Sequence, residues 1–396
     1  MKIIANRISG TLDDHQSTNQ AGFRSGYSTT DNLFILQQLI EKSNEHQMNL
    51  FLSFVDFEKA FDSVEHSFLW LAMKEHGVEN KYTRIIRKIY ENSTAVIKME
   101  ENSREIKIGR GIKQGCCLSP KQFNGALQRV FQKLDWQQLG VKIDGKMLYE
   151  IRFADDVVLI SQNKQELADM MTNLFEECKI SGLKANMEKT KILTNTSETS
   201  FDLNGNKIEI VEEFKYLGSV FSFQDRESKE IAARISAAWR SFWASGNFFQ
   251  SNMPVSLKKR LMDATILPIL TYGCQCWNFT DQGIEKLAVE QRAMERKMLK
   301  IKKINHVRNE KMRKFSKIID VKEKAKELKW AWAGHAQRLS DERWPKILER
   351  WKPIEKRKRG RPKTRWRDEI AEHAGILWRR KTQKRDEWKN MGKSFV

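Results

Sequence analysis

The spacing of apolar and polar positions along the chain changes character once, near residue 225. Before that point short apolar runs alternate with helical stripes, and after it the pattern is helical almost throughout. The run "NLFLSFVDF" predicts a buried strand ending at Asp56, and Phe61, Val64, Phe68, Leu69 and Ala72 predict a helix over about 59–76 directly behind it. Further helices are expected at about 31–45, 81–90 and 165–181, the last closed by Gly182, with a hairpin at 94–108 and a strand at 190–194. "FDLNGNKIEIV" reads as a hairpin turning at Asn204-Gly205, two residues that tolerate positive φ, and "EFKYLGSVFS" as the strand after it. "GRGIKQGCCLSP" is a loop leading into a helix, with Ser119 as N-cap, Pro120 at the first helical position, and Phe123, Leu127, Phe131 and Leu134 as its buried stripe. Met1–Ile8 has helical spacing with no capping residue ahead of it, so the chain is expected to begin inside a helix. Past residue 225, "RESKEIAARISAAWRSFWASG" places Ile231, Ile235, Ala238, Trp239 and Phe242 on one stripe, leaving Arg226, Lys229, Arg234 and Arg240 for solvent or phosphate.

One strand pair breaks its own pattern. In "YEIRFADDVVLIS", two aspartates interrupt a run that otherwise reads as strand, tight turn, strand, with Ala154-Asp155-Asp156 at the tip. Buried carboxylates cost several kcal/mol when unpaired, and like charges in contact raise one another's pKa, so a positive partner is required. An Asp-Asp turn alone is more often structural, because Asp hydrogen-bonds local backbone. Asp56, at the end of another buried strand, changes that balance. Phosphoryl transfer to a hydroxyl needs its attacking and leaving oxygens in line and the developing charge neutralised, which two divalent ions ~3.5–4 Å apart achieve. Hard Mg²⁺ accepts carboxylate oxygens while keeping several waters, so two or three aspartates suffice. Alternate strand residues face opposite ways, which favours Asp56 and Asp155 as metal ligands and Asp156 as a supporting carboxylate.

Composition narrows the partner. The chain has 396 residues, is 40% hydrophobic, and carries 71 Lys and Arg against 51 Asp and Glu, a net charge of +20. That is a globular protein with a polyanionic partner, nucleic acid first and a membrane surface second. No apolar run approaches the ~20 residues of a spanning helix and the N-terminus lacks the apolar core of a signal peptide, so the expectation is no membrane and an intracellular location, nucleus and cytoplasm. Five cysteines, without a secretion signal, are expected as reduced thiols, and Cys274-x-Cys276 is too close for ordinary zinc spacing. Residues 346–396 hold 18 Lys or Arg against 7 Asp or Glu, a net of +11, and read as a separate basic tail. Within it Arg359-Gly360-Arg361-Pro362 matches the AT-hook type of minor-groove binder, while the same run serves equally as a nuclear signal or a charge-only RNA contact.

"FVDFEKAFDSV", "GIKQGCCLSPKQFN", "IRFADDVVLIS", "GLKANMEKTKIL" and "FKYLGSVF" follow one another in the order and spacing of reverse transcriptase palm motifs, and together resemble those of non-LTR (LINE-type) retrotransposons. "QAGFRSGYSTTD" resembles that family's finger motif, and "LTYGCQCW", "WAGHAQRL" and "RGRPKTRW" resemble the C-terminal region of its RTE-like branch. The resemblance implies an α+β right-hand polymerase palm, an antiparallel sheet backed by helices, with partial fingers and then an all-α thumb and C-terminal helical region. It divides the chain into fingers and palm over 1–195, a primer-grip region over 196–225, helices over 226–345 and the basic tail over 346–396. The implied activity is RNA-directed DNA polymerisation with two Mg²⁺, or Mn²⁺ in their place, on an RNA template, a DNA primer and dNTPs, with A·T-rich DNA a further partner of the tail. By the same resemblance Asp56 and Asp155 bind metal beside Asp156, and Phe61 lies under the incoming sugar. Gln114 and Gly115 contact the nucleotide, Lys189 lies near the leaving pyrophosphate, Arg24 touches the triphosphate, and Tyr216, Leu217 and Gly218 grip the primer. Three departures stand out: the family's first finger segment and an amino-terminal endonuclease domain are not found, and Gln122 replaces an apolar residue. The missing finger segment makes a catalytically inactive nucleic-acid-binding remnant the competing expectation.

Overall fold

The computed structural model describes residues 1–98, 103–357, 359–360 and 363–396. The chain forms two compact units, one of Met1–Asn32, His46–Glu212 and Arg350–Lys356, the other of Leu33–Glu45, Glu213–Glu349 and Arg357–Val396.

In the first unit, helices α1 (Lys2–Asp14) and the opening turn of α2 (Thr29–His46) precede strand β1 (Phe51–Val55), which is buried at every position. The helix expected over 59–76 is two, α3 (Ala60–Ser63) and α4 (His66–Glu75). Between them Val64 and Glu65 are extended, because the Val64 carbonyl accepts the Gly111 N–H at 2.8 Å and Glu65 bridges to Arg110. A distant strand-like contact here overrides a local helical stripe. Helix α5 (Asn80–Glu91), the hairpin β2 (Thr94–Lys98) and β3 (Ser103–Lys107), and α6 (Ser119–Gln132) follow. Ser119 is not the N-cap of α6: Leu118 takes that place, and the Ser119 hydroxyl donates back to the Lys113 carbonyl, closing the loop instead. After β4 (Val141–Ile143) and β5 (Lys146–Leu148) come β6 (Glu150–Phe153), β7 (Asp156–Ser161), α7 (Lys164–Ser181), β8 (Lys191–Thr194), β9 (Phe201–Leu203) and β10 (Asn206–Val211).

These strands build a six-stranded sheet in the order β6-β7-β1-β8-β10-β9. Every pairing is antiparallel except β8 with β10, so the sheet is mixed at that one junction. Helix α7 packs on β1 and β7 and joins α6, which packs in turn on α4. Phe68, Leu69, Phe123, Leu127, Leu167, Met170 and Leu174 fill the layer behind the sheet. The fold is α+β, as the sequence pattern implied.

The second unit begins its own hairpin at β11 (Phe214–Tyr216) and β12 (Ser219–Phe221): the apolar pattern over 213–222 reads as one strand, whereas the family resemblance implies the hairpin at Tyr216, Leu217 and Gly218 that the structure has. Helix α8 (Arg226–Ala244) packs on the helix Asp281–Met298, and Phe242, Phe249, Leu270, Met294 and Met298 form their shared core. Residues 346–396 are not a detached tail. Trp366, Trp378 and Trp388 are buried, and Trp330 stacks on Trp388 with ring centroids 3.9 Å apart while each indole N–H donates to the other residue's carbonyl. Trp366 donates its indole N–H to the Gln275 carbonyl and its backbone N–H to Glu41 of α2. The break in composition at residue 346 reports charge, whereas the compact unit is set by tryptophans spaced widely along the chain. No helix among the described residues is long and apolar enough to cross a membrane.

Candidate active site

The β1–β7 register ends at Val55 opposite Val157, so Asp56, one residue further, leaves β1 beside Asp156 at the same end of the sheet. Asp155 occupies the two-residue turn Ala154-Asp155 between β6 and β7, where Ala154 takes φ +57°. Three carboxylates therefore meet at one sheet edge. Their fields are felt: burial above all, then the charge of Asp56, raises the Asp155 carboxyl above the ordinary aspartate range against an opposing hydrogen bond from its own backbone. Burial, then Asp155 and then Asp56 push Asp156 up to about 6, although part of that side chain reaches solvent. Charges in such an arrangement raise one another's pKa unless a cation joins them.

Among the described residues no group of three or more His, Cys, Asp or Glu is placed to hold a metal ion by itself. The donor chemistry nevertheless fits a hard cation that keeps waters and takes oxygens from a phosphate-bearing substrate, because two or three carboxylates on an open edge leave those positions vacant. The one nearby ammonium in the described residues paired with Asp56 is Lys189, whose Nζ is 3.9 Å from Oδ2 and well exposed. The Asp56 N–H donates to Thr190 Oγ1 at 3.4 Å and its carbonyl accepts from the Asn186 N–H at 2.8 Å, which anchors the Lys189 loop to the end of β1.

Phe61 is half-buried and stacks on the fully buried Phe123, centroids 4.4 Å apart and planes 19° apart, so one face is fixed and the rest reaches outward. Gln114 and Gly115 are exposed on the loop before α6, and the Gln114 amide donates to Asp62 Oδ1 at 2.8 Å. Gly115 takes φ +77° with open space where a Cβ would stand. Gln122, the departure noted in the sequence, has a role here. Its carbonyl accepts the Tyr90 hydroxyl at 2.9 Å, and that hydroxyl accepts the Lys113 N–H at 3.3 Å, so the pair holds the Gln114 loop from within the core. The signal for it in the sequence was its departure from the apolar residue of the family pattern.

Arg24 is placed differently from a free triphosphate contact. Its guanidinium donates to the carbonyls of Asp13, Ser17 and Gln20 and lies 4.3 Å over the Tyr27 ring, so it organises the finger loop. Sequence reading missed the layer under the hairpin altogether. Glu150 and Arg152 alternate with apolar residues as if on an exposed face, yet both are buried, paired at 2.9 Å, and completed by Gln128 and Asn19.

In the second unit Tyr216 is buried, and Leu217 (φ +44°) and Gly218 (φ +82°) make the β11–β12 turn. The Tyr272 hydroxyl donates to the Leu217 carbonyl at 2.6 Å and Arg234 to the Gly218 carbonyl. This overturns the expectation of a free basic face on α8. Arg226 and Arg234 are buried, Arg226 donating to the Val220 carbonyl, and Lys229 pairs with Glu213 at 3.1 Å. Arg240 alone of the four is exposed. Hairpin carbonyls left without strand partners supply the acceptors that draw these arginines inward. Of the hook, Arg359 and Gly360 are exposed, and Arg361 and Pro362 lie outside the described residues. The five cysteines are free thiols; burial pushes Cys178 and Cys274 up to about 12, which makes them unreactive.

A mostly antiparallel sheet backed by helices, with three aspartates at the end of its central strands, is the α+β palm of a right-hand polymerase fold. Residues 1–221 match the family described as "Reverse transcriptase (RNA-dependent DNA polymerase)", and the chain belongs to that family. It is 31% identical to a transposon-derived protein of Caenorhabditis elegans over 58% of this chain and 86% of that one. It is 26% identical to the Pol polyprotein of the R2 retrotransposable element of Drosophila melanogaster over 57% of this chain, but spans 22% of that protein's length. Among solved structures, telomerase from Candida albicans is similar with a TM-score of 0.48 and 12% identity, over 87% of this chain and 57% of that one.

Proposed function

We propose that the chain is the RNA-directed DNA polymerase of a non-LTR retrotransposon, of the RTE-like branch, extending a DNA primer on an RNA template. The observation that carries this is the convergence of Asp56, Asp155 and Asp156 at one sheet edge with two of the carboxyls raised by burial and mutual charge. Asp56 and Asp155 would hold two Mg²⁺, or Mn²⁺, with Asp156 beside them. Bound there, the ions would neutralise charge on the transferred phosphoryl group and lower the pKa of the primer 3′-hydroxyl.

The chain's own residues bind and orient. Phe61, braced by Phe123, sits under the deoxyribose and excludes a 2′-hydroxyl. Gln114 and Gly115 approach the nucleotide from their loop, and Lys189 stabilises the departing pyrophosphate. Tyr216, Leu217 and Gly218 grip the primer end. Arg24 supports the finger loop that would face the triphosphate. Arg359 and Gly360, with Arg361 and Pro362, contact A·T-rich duplex; competition between A·T-rich and G·C-rich duplexes at one salt concentration checks this, and equal affinity removes the hook.

The reading is tested by primer extension on an RNA template. Asp155→Asn should lower Mg²⁺-dependent extension by about a thousandfold or more while leaving duplex binding nearly unchanged, since the lost ligand acts on chemistry. Wild-type protein that binds template and primer without extending it would instead identify an inactive nucleic-acid-binding remnant.

A further inference from the structure

The turn that presents Asp155 is strained and is not held by its own strands alone. Ala154 takes φ +57°, a left-handed conformation that costs a residue with a Cβ of the order of 1 kcal/mol and persists only when its surroundings impose it. Those surroundings are one segment, residues 19–22. Its backbone runs along β6 as an added edge: the Arg152 N–H donates to the Asn19 carbonyl at 2.8 Å, and the Ala21 N–H to the Arg152 carbonyl at 2.9 Å. Gln20, completely buried, then turns its amide onto the hairpin tip. Its Oε1 accepts the N–H of Ala154 at 3.0 Å and of Gly22 at 2.8 Å, and its Nε2 donates to the Ala154 carbonyl at 3.4 Å.

Gly22 permits this approach. A Cβ there would fall 2.3 Å from the Ala154 nitrogen, against backbone that cannot give way. Its carbonyl accepts from Asn124 Nδ2 of α6 at 2.7 Å, which ties the segment to the helical layer. Both polar groups of the Ala154 backbone are thus served by one side chain more than a hundred residues earlier in the chain.

We propose that Gln20 is a positioning residue for the metal-binding carboxylate: by clamping Ala154 it sets the direction in which Asp155 leaves the turn. This rests on the polymerase reading given above. Gln20 does not touch substrate or metal; it acts through the backbone of the residue before the ligand.

The first test uses the wild-type protein. Residue-resolved amide exchange should find the Ala154 N–H protected although it lies in a turn, and exchange at the rate of an open turn would overturn the clamp whatever any variant does. The second uses Gln20→Met, which keeps the volume and removes the hydrogen bonds. With circular dichroism and exchange in 51–55 and 191–194 as in wild type, exchange across 150–158 should rise by about tenfold or more, since Met removes all three hydrogen bonds of the Gln20 amide and the net loss of one already gives about that factor. Mn²⁺ binding measured by calorimetry should weaken by a similar factor, about tenfold. Gln20→Glu, which keeps the acceptor for both N–H groups, should retain the protection that Gln20→Met loses. Unchanged exchange and unchanged Mn²⁺ affinity in a folded Gln20→Met protein would show that the residue only fills space. If wild-type protein protects Ala154 and binds Mn²⁺ but never extends a primer, the polymerase reading falls and the clamp stands.

Discussion

The two hairpins of the molecule, β6–β7 in the first unit and β11–β12 in the second, solve one backbone problem with opposite electrostatics. Each turns on two residues, and in each the first is a non-glycine with positive φ, Ala154 and Leu217. Each is secured by side chains remote in sequence, Gln20 in one case and Tyr272 with Arg234 in the other. Beside β11–β12 a buried ion pair is built in: Glu230 accepts the Val220 N–H at 2.6 Å and pairs with Arg234 at 3.2 Å. At β6–β7 the hydrogen bonds are closed in the same way beneath the turn, but burial first and neighbouring carboxylate charge second raise the pKa of the Asp155 and Asp156 carboxyls above it. One hairpin thus carries a counter-charge within the protein, whereas on the polymerase reading the carboxylates of the other would take theirs from a bound cation.

The comparison is most easily broken in the second hairpin. Arg234→Met should destabilise the protein by about 3 kcal/mol, because it removes the ion-pair partner of the buried Glu230 and leaves the Gly218 carbonyl without its donor. Urea denaturation reads this, and a loss below about 1 kcal/mol would mean that the pair is not closed as described. By contrast Asp155→Asn should leave stability unchanged or improved while removing extension, so the two variants separate structural charge from working charge.

A buried carboxyl elsewhere in the second unit sharpens the contrast. Burial pushes Glu41 up to about 7 even though it accepts the Trp366 N–H at 3.0 Å and the Asn278 amide at 2.9 Å. Its folded pKa lies above the ordinary value of 4.5, so the stability it contributes is complete below that pH, fades as pH rises, and is gone above about 7. Glu41→Gln should therefore gain on wild type in thermal midpoint between about pH 4.5 and 7, and then hold a constant lead. A lead that shrinks with rising pH would reverse the sign and refute the assignment.

The smallest expected effect lies beside the first hairpin. Phe61→Val should raise ribonucleotide relative to deoxyribonucleotide incorporation by about tenfold, from a clash worth 1–2 kcal/mol. An unchanged ratio in an active variant would make Phe61 a core residue of the Phe123 stack and nothing more.

Much of the palm could be read directly from residue order. Strand β1 is apolar at all but Ser53 and buried at every position, and the Asn204-Gly205 turn follows from two residues that accept positive φ, here +53° and +83°. The aspartates were legible for the same reason in reverse, since charge inside an apolar run has a high cost and so demands a use. Residues whose meaning depends on a distant partner were not legible. Glu150 and Arg152 look like the solvent face of a strand until Gln128 and Asn19 complete their network, and Arg226 and Arg234 look like a phosphate-binding stripe until the hairpin carbonyls claim them. The helix break at Val64 and Glu65 depends on Gly111, and the docking of Trp366 on a backbone bond to Glu41 of α2. Local pattern alone determined most of the strands and helices and marked the three acidic positions, because burial and turn chemistry act within a few residues, while the break in the helix over 59–76 needed a distant partner. Which polar groups are satisfied, and by which partners, was decided only when the chain closed on itself: a hydrogen bond is a property of two segments, and either sequence by itself shows one half of it.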